Sequence, residues 1–263
     1  MNKPLVSIII NCRNGEKYLK KCIDSILSQN YSNWEIIFWD NNSSDNSSYI
    51  FHSYKDKRLN YFFSKNSDTL YAARNKAVEK ANGKYIGFLD VDDMWLENNL
   101  SKKVEFLEKN NNYKIVYSNY YILNEIKNKN SIFFNFELPS GYITYRLLKK
   151  YSIGILSVLI DRDIFLDNKF NEEYNIVGDF DFFLEISMKF KIGVIQEPLA
   201  NYRLHNSNYS KKNIQNHILE LQNWLRKNKS KFKKNKYNLV NIKINILKLK
   251  FKNLLVKLFN IRN

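Results

Sequence analysis

Apolar runs of strand length alternate with helically spaced segments through the first ninety residues, and this alternation sets the fold class. Val6 to Ile10 is a short β-branched run and reads as a buried strand, followed by a turn over Asn11 to Gly15. Tyr18, Leu19, Cys22, Ile23, Ile26 and Leu27 then recur at helical spacing. Trp34 to Trp39 is a second strand that runs into Asp40, and a helix over Tyr49 to Tyr54 follows the polar stretch NNSSDNSS. Leu59 to Phe63 is a third strand. Leu70 to Ala81 is an Ala-rich helix, with Gly83 ending it as a C-cap glycine does. Tyr85 to Leu89 is the fourth strand. Four strands separated by three helices predict an α/β fold with a parallel sheet. Such sheets bind ligands beyond the carboxyl ends of their strands, where Asn11, Asp40 and Asp90 to Asp93 fall.

The fourth strand runs directly into Asp90, Asp92 and Asp93, with no Lys or Arg within five residues on either side. Carboxylates this close repel one another, and a hard divalent cation would offset the repulsion. The alternative is an acidic loop capping the next helix.

Beyond this block the pattern predicts a helix over Trp95 to Asn110 and a strand over Lys114 to Ile122. An irregular stretch covers 125–141, and a helix covers Ile143 to Lys150. Ser157 to Asp161 reads as a strand and Ile176 to Phe190 as a turn leading into a helix. Lys191 to Ile195 reads as a strand and Pro198 to His205 as an extended segment. Of 263 residues, 44% are hydrophobic and only 7 are Gly and 3 Pro, which excludes a disordered or linker-rich chain. Cys12 and Cys22 lack the spacing of a disulfide framework or a zinc site, and they suit a reducing cytoplasm. MNKPLVSIII is too short an apolar run for a secretory signal, and Ile153 to Ile160 is too short to cross a bilayer. A cytoplasmic protein, peripheral on the inner face of the cytoplasmic membrane, is the expected setting.

Several blocks together resemble the family 2 glycosyltransferases. VSIIINCRNGEKYLKKCIDSILSQNYSNWEIIFWDNNSSDNS is similar to the family's opening, and LYAARNKAVEKANGKYIGFLDVDD to its central block. SVLIDRDIF, GDFDFFLEI and NYRLHNSNYS resemble its acceptor half. The likeness spans about residues 4–210. It implies a GT-A fold: a Rossmann-like nucleotide-binding half with a mainly parallel sheet, plus an acceptor half. It also implies inverting transfer of a sugar from a nucleotide diphosphate sugar, with uridine as the expected base, to a glycan or lipid-linked acceptor. Mn or Mg is the implied cofactor.

The resemblance also assigns roles. Asp90 faces the ribose or the metal, and Asp92 binds the metal. Asp93 either orders that site or caps the next helix. Asn11 lies at the donor end. Asp40 and Asn41 occupy the base-contacting position, where the family often has two acids. The Asn41 amide would give a base edge both a donor and an acceptor. Arg13 replaces an aromatic that often stacks on the base; a guanidinium can stack too, or Arg13 is a solvated turn residue. Arg74, flanked by Ala72, Ala73 and Ala77, helps hold the diphosphate. Asp179 is the expected general base, with Gly178 replacing the usual Glu before it, and Asp181 is the second choice. His205 is a metal ligand or a donor to phosphate. A non-catalytic scaffold and a nucleotidyltransferase are the alternatives. The latter normally has a Gly- and base-rich loop after its first strand, and Asn11 to Lys17 holds one Gly.

The charge is uneven. Residues 211–263 carry 15 Lys and Arg against one acid, Glu220, for a net +14, while residues 1–210 carry 27 against 25, for +2. This tail is expected to be a basic, amphipathic helical extension to a transferase domain over 1–210. Ile214, Ile218, Leu221, Trp224 and Leu225 form a stripe suited to docking, before a Lys-rich hinge, KNKSKFKKNK. Beyond the hinge, Val240, Ile244, Leu247, Phe251, Leu254 and Leu258 form one stripe and Leu239, Ile242, Ile246 and Leu249 another. A helix on an anionic membrane, an oligomer seam and a partner-protein contact are the readings of this second segment. Nucleic-acid binding is set aside because the tail carries no recognised motif and the body is neutral.

Overall fold

The computed structural model describes residues 3–258. Its first half is the expected alternation. Strand β1 (Val6–Cys12) is followed by α1 (Glu16–Leu27), β2 (Trp34–Asp40), α2 (Ser47–Ser53), β3 (Leu59–Phe63), α3 (Leu70–Val78) and β4 (Tyr85–Phe88). The strands are parallel in the order β3-β2-β1-β4. Every residue of β1, β2 and β4 is buried, which is why these strands read as continuous apolar runs rather than alternating ones.

The second half is mixed. After β5 (Met94–Trp95) and α4 (Asn99–Lys109) come β6 (Ile115–Asn124), β7 (Lys129–Ile132) and α5 (Thr144–Lys149). A short 3₁₀ turn over Ile155–Ser157 leads into β8 (Val158–Asp161), α6 (Arg162–Asn168), α7 (Gly178–Lys189) and β9 (Ile192–Leu204). Strand β8 joins the halves by pairing antiparallel with both β4 and β6, and β9 runs parallel to β6. The sheet continues β4-β8-β6-β9-β5, with β7 on the far part of β6.

Several expectations change. Asn11 and Cys12 belong to β1 rather than to a turn. The two segments on either side of Pro198 are one strand, whose register against β6 shifts near that N–H-less residue. Gly83 is no C-cap: α3 ends at Val78, and Gly83 has no positive φ. It is needed because a Cβ there would lie 2.6 Å from the Ser7 backbone nitrogen. Strand β7 escapes prediction because all four of its residues are exposed, leaving no burial pattern to read.

The tail folds as α8 (Tyr209–Lys212), α9 (Ile214–Lys234) and α10 (Val240–Leu258). Most of the expected Lys-rich hinge is the last two turns of α9, with Phe232 fully buried inside it. The chain instead turns between Lys234 and Val240, where Lys236 takes φ 61°. Ile218, Leu221 and Trp224 of α9 join the main core, as do Leu239, Ile242 and Ile246 beside it. Residues Phe259 to Asn263, at the end of the expected tail, lie outside the described residues. Among the described residues, no helix is long and apolar enough to cross a membrane.

Candidate active site

A cleft of about 450 Å³ opens over the carboxyl ends of β1, β2 and β4. Asn11, Arg13, Asn41, Arg74, Asp90, Asp92 and Asp179 all line it. Seven expected residues therefore converge. Asp40, Asp93, His205 and Asp181 do not line it.

Asn11 is the clearest polar group aimed at a ligand. It is buried at the end of β1, yet neither atom of its side-chain amide has a partner among the described residues. Unpaired buried amides are costly, so a ligand is the natural partner. Arg13 is exposed at the rim, and its side chain makes no hydrogen bond among the described residues.

Asp40 and Asn41 are both engaged by the protein. Asp40 is 1% exposed and accepts from the Tyr61 hydroxyl at 2.7 Å and the Ser43 N–H at 2.7 Å, which shapes the turn after β2. Asn41 does line the cleft, but its amide is already used. Nδ2 donates to the Asp68 carbonyl at 2.9 Å, and Oδ1 accepts from the Asp68 N–H at 3.0 Å. Asn41 therefore holds Asp68 at the cleft wall, where Lys76 pairs with both carboxylate oxygens at 2.8 Å. Asp68 was not anticipated; only its place just before α3 hinted at it.

The acidic cluster has positive partners drawn from distant sequence. Arg74, 2% exposed on α3, donates to Asp90 Oδ1 at 2.5 Å. The backbone N–H of Arg203 on β9 donates to Asp93 Oδ1 at 2.8 Å, and its Nε to the Asp92 carbonyl at 2.8 Å. So the charge offset that the local sequence lacks comes in part from two buried arginines. Asp93 neither caps α4, whose N-cap is Asn98, nor lines the cleft: it ties the loop to β9. Burial and the neighbouring Asp92 and Asp90 charges push its pKa far up.

Asp92 keeps an open side. Burial, then the nearby Asp90 charge, raise its pKa, and His205 opposes them. His205 lies behind it, Nε2 to Oδ2 at 2.9 Å. The other ring nitrogen, Nδ1, accepts from the Ser207 N–H at 3.1 Å, so Nε2 carries the proton and donates to Asp92. In this arrangement the imidazole backs the Asp92 carboxylate. Among the described residues, no three His, Cys, Asp or Glu side chains converge as an all-protein cation site requires. The donor set still suits Mg or Mn, which bind through one or two carboxylates and take their other ligands from phosphate and water.

Asp179 sits in the first turn of α7, partly buried, and accepts from the Tyr71 hydroxyl at 3.0 Å. Burial raises its pKa, and the Arg74 charge and the Tyr71 bond hold it down. The net shift is upward, which makes the carboxylate a better proton acceptor than an ordinary one. Gly178 now has a reason. A Cβ there would lie 2.4 Å from the Tyr71 ring, so the absence of a side chain lets Tyr71 reach Asp179. Tyr71 was missed because its partner lies 108 residues away. Asp181 faces away from the cleft: it accepts from Trp224 Nε1 at 2.8 Å and helps dock α9.

A parallel α/β half with carboxylates at its strand ends, facing a further carboxylate across one cleft, defines a GT-A glycosyltransferase. The chain belongs to glycosyltransferase family 2: the family description "Glycosyl transferase family 2" matches residues 7–159. It is 34% identical over 212 residues to the Escherichia coli UDP-Glc:alpha-D-GlcNAc-diphosphoundecaprenol beta-1,3-glucosyltransferase WfgD, covering 80% of this chain and 81% of that one. S. aureus TarS 1-349 in complex with UDP has the same fold at TM-score 0.62 and 17% identity, over 83% of this chain and 65% of that one. The mannosyltransferase PcManGT from Pyrobaculum calidifontis, in complex with GDP-Man and Mn2+, superposes at TM-score 0.65 and 15% identity, over 86% of this chain and 65% of that one.

Proposed function

We propose that this enzyme transfers a sugar from a UDP-linked donor to a hydroxyl of a lipid-linked glycan, with inversion, in surface-polysaccharide synthesis. The observation that carries the reading is Asp179: a carboxylate, oriented by Tyr71, in the same cleft as the unpartnered Asn11 amide. The names of the E. coli relative and of the UDP-bound neighbour support the donor and acceptor classes.

In this reading Asn11, Arg13 and the Asn41–Asp68 pair receive the nucleoside, and Arg74 and Asp90 flank the diphosphate. Asp92, backed by His205, would hold Mn or Mg; when bound, such a cation neutralises charge on the leaving diphosphate. Asp179 takes the acceptor proton as the acceptor oxygen bonds to the anomeric carbon, and the bond from that carbon to the diphosphate oxygen breaks. The exposed stripe of α10, with its lysines, rests on an anionic membrane.

The test is a donor screen, each nucleotide sugar assayed for free nucleotide with Mn, with Mg and with chelator. UDP-sugars should turn over, and chelator should abolish release. Turnover of no nucleotide sugar removes the reading, and undiminished release in chelator removes the cation.

A further inference from the structure

Two side chains from the end of β9 reach Asp92. Arg203 Nε donates to its carbonyl at 2.8 Å, and His205 Nε2 donates to its Oδ2 at 2.9 Å. Arg203 also grips the next two residues, through its backbone N–H to Asp93 Oδ1 at 2.8 Å and through Nη2 to the Met94 sulfur at 3.4 Å. Arg203 and His205 do not line the donor cleft, so what they do for the reaction passes through this loop.

These two side chains are themselves held by Tyr18 and Glu125, which also lie outside the cleft lining. Glu125, just beyond β6, accepts from Arg203 Nη1 at 2.6 Å through one oxygen and from the Tyr18 hydroxyl at 3.0 Å through the other. Its N–H donates to the Leu204 carbonyl at 3.1 Å, which fixes it beside the residue between Arg203 and His205. Tyr18, on α1, packs against both: its ring centre lies 4.9 Å from the Arg203 guanidinium carbon and 4.8 Å from the His205 ring centre. The Arg203 side chain is 3% exposed and pairs with Glu125, so removing that carboxylate leaves a buried guanidinium without its counter-charge.

The loop needs such a brace. Asp90, Asp92 and Asp93 put three carboxylates into four residues, and their repulsion favours a loop that opens. A carboxylate free to swing must be ordered each time a cation binds, at a cost in affinity; one fixed by its outer partners is ordered already. We propose that Tyr18 and Glu125 are positioning residues for cation binding: they lock Arg203 and His205, which fix Asp92 at its carbonyl and its carboxylate. This rests on the reading of Asp92 as the cation holder and adds the groups that keep it in place. The brace gathers α1, the end of β6 and the end of β9 onto one loop, with Tyr18 107 residues and Arg203 78 residues from Glu125. Neither Tyr18 nor Glu125 touches the donor, so the signature of the role is a change in cation affinity rather than in the chemical step.

The test is the affinity of the full-length protein for Mn, read by electron paramagnetic resonance of free Mn with UDP in excess. Glu125→Ala should weaken Mn at least about fivefold, approaching the range of about 10–100-fold seen when outer partners of metal ligands are lost. Glu125→Gln keeps a neutral acceptor for Arg203 and should fall between Glu125→Ala and wild type; it serves if Glu125→Ala does not fold. Tyr18→Phe keeps the ring against Arg203 and His205 and should weaken Mn less than Tyr18→Ala does. In turnover, Glu125→Ala should raise the Mn concentration that gives half-maximal rate, while kcat at saturating Mn stays within about threefold. A lowered unfolding temperature with Mn affinity unchanged in both alanine variants would make the brace merely structural and overturn the proposal. Asp92→Asn separates the two readings. Loss of Mn in Asp92→Asn with none in the alanine variants removes the brace and keeps Asp92 as holder, and Mn affinity unchanged in Asp92→Asn, or absent in wild type, removes both.

Discussion

Helices α9 and α10 follow one another, are both Lys-rich, and each carries an apolar stripe, yet they end up differently. α9 sinks its stripe into the body: Trp224 and Phe232 are fully buried, and Ile218 and Leu221 nearly so. Its lysines meet body acids, Lys227 on Glu173 and Lys231 on Glu185. Its one acid, Glu220, accepts the backbone N–H groups of Asn175, Ile176 and Val177, just before Asp179. α10 buries only Ile242 and Ile246, and it leaves Leu247, Phe251, Leu254 and Leu258 more than half exposed. None of its lysines is in an ion pair among the described residues. Helix α9 is thus part of the machinery that positions the candidate base, and only α10 turns a basic apolar face outward.

The contrast can be broken first at Trp224. Trp224→Ala should lower stability by about 3–5 kcal/mol, the range for emptying a large buried aromatic. Denaturant unfolding with unchanged slope measures it, and a loss under about 1 kcal/mol would mean α9 is not docked. Glu220→Gln keeps the shape but replaces one of the two acceptor oxygens that serve three N–H groups with an NH2 donor, and should cost about 1–3 kcal/mol and reduce kcat. Loss of stability with kcat intact would separate α9 from the site.

Asp181 tests the docking by pH. Burial raises its pKa to about 6, the Trp224 N–H opposing. A raised pKa means that the folded state holds the proton more tightly than the unfolded chain. Its contribution is therefore favourable at low pH and is lost as pH rises from about 4 through about 6. Asp181→Asn removes that slope. Because the group is part-exposed, the variant should gain at most about 2 kcal/mol at pH 7.5, shrinking to nothing near pH 4. Parallel pH–stability curves for the two proteins would refute the assignment. On the outward side, Leu247→Ser, Phe251→Ser and Leu254→Ser together should leave body stability nearly unchanged, each within about 0.5 kcal/mol. The triple variant should float less with anionic vesicles than wild type, and undiminished flotation would remove the membrane face.

How legible each part was follows from where its partners lie. The first four strands could be read because burial on both faces leaves unbroken apolar runs, and the strand ends then placed Asn11, Asp90 and Asp92 at the cleft. Asp179 was reached only through resemblance, because its geometry depends on Tyr71 and Arg74 on another helix. The partners of Asp93 and Asn41 were hidden for the same reason: Arg203 lies 110 residues from Asp93. The amide of Asn41 is spent on the backbone of Asp68, which no side-chain pattern reveals. In the tail both α10 stripes are equally apolar, and only the position of α9 and α5 decides that Ile242 and Ile246 dock.

The central claim is that Asp179 takes the acceptor proton. Asp179→Asn keeps the shape and can still accept from Tyr71, but it cannot take that proton. Single-turnover transfer by the variant, with UDP affinity measured by calorimetry, tests this directly. The account predicts a rate loss of about 10²–10⁴-fold with UDP affinity within twofold. It also predicts a wild-type rate that falls on acidification at a pH above the ordinary carboxylate range, since burial raises the Asp179 pKa and the base must be unprotonated. Transfer by the variant at near the wild-type rate would contradict the account and place the base elsewhere.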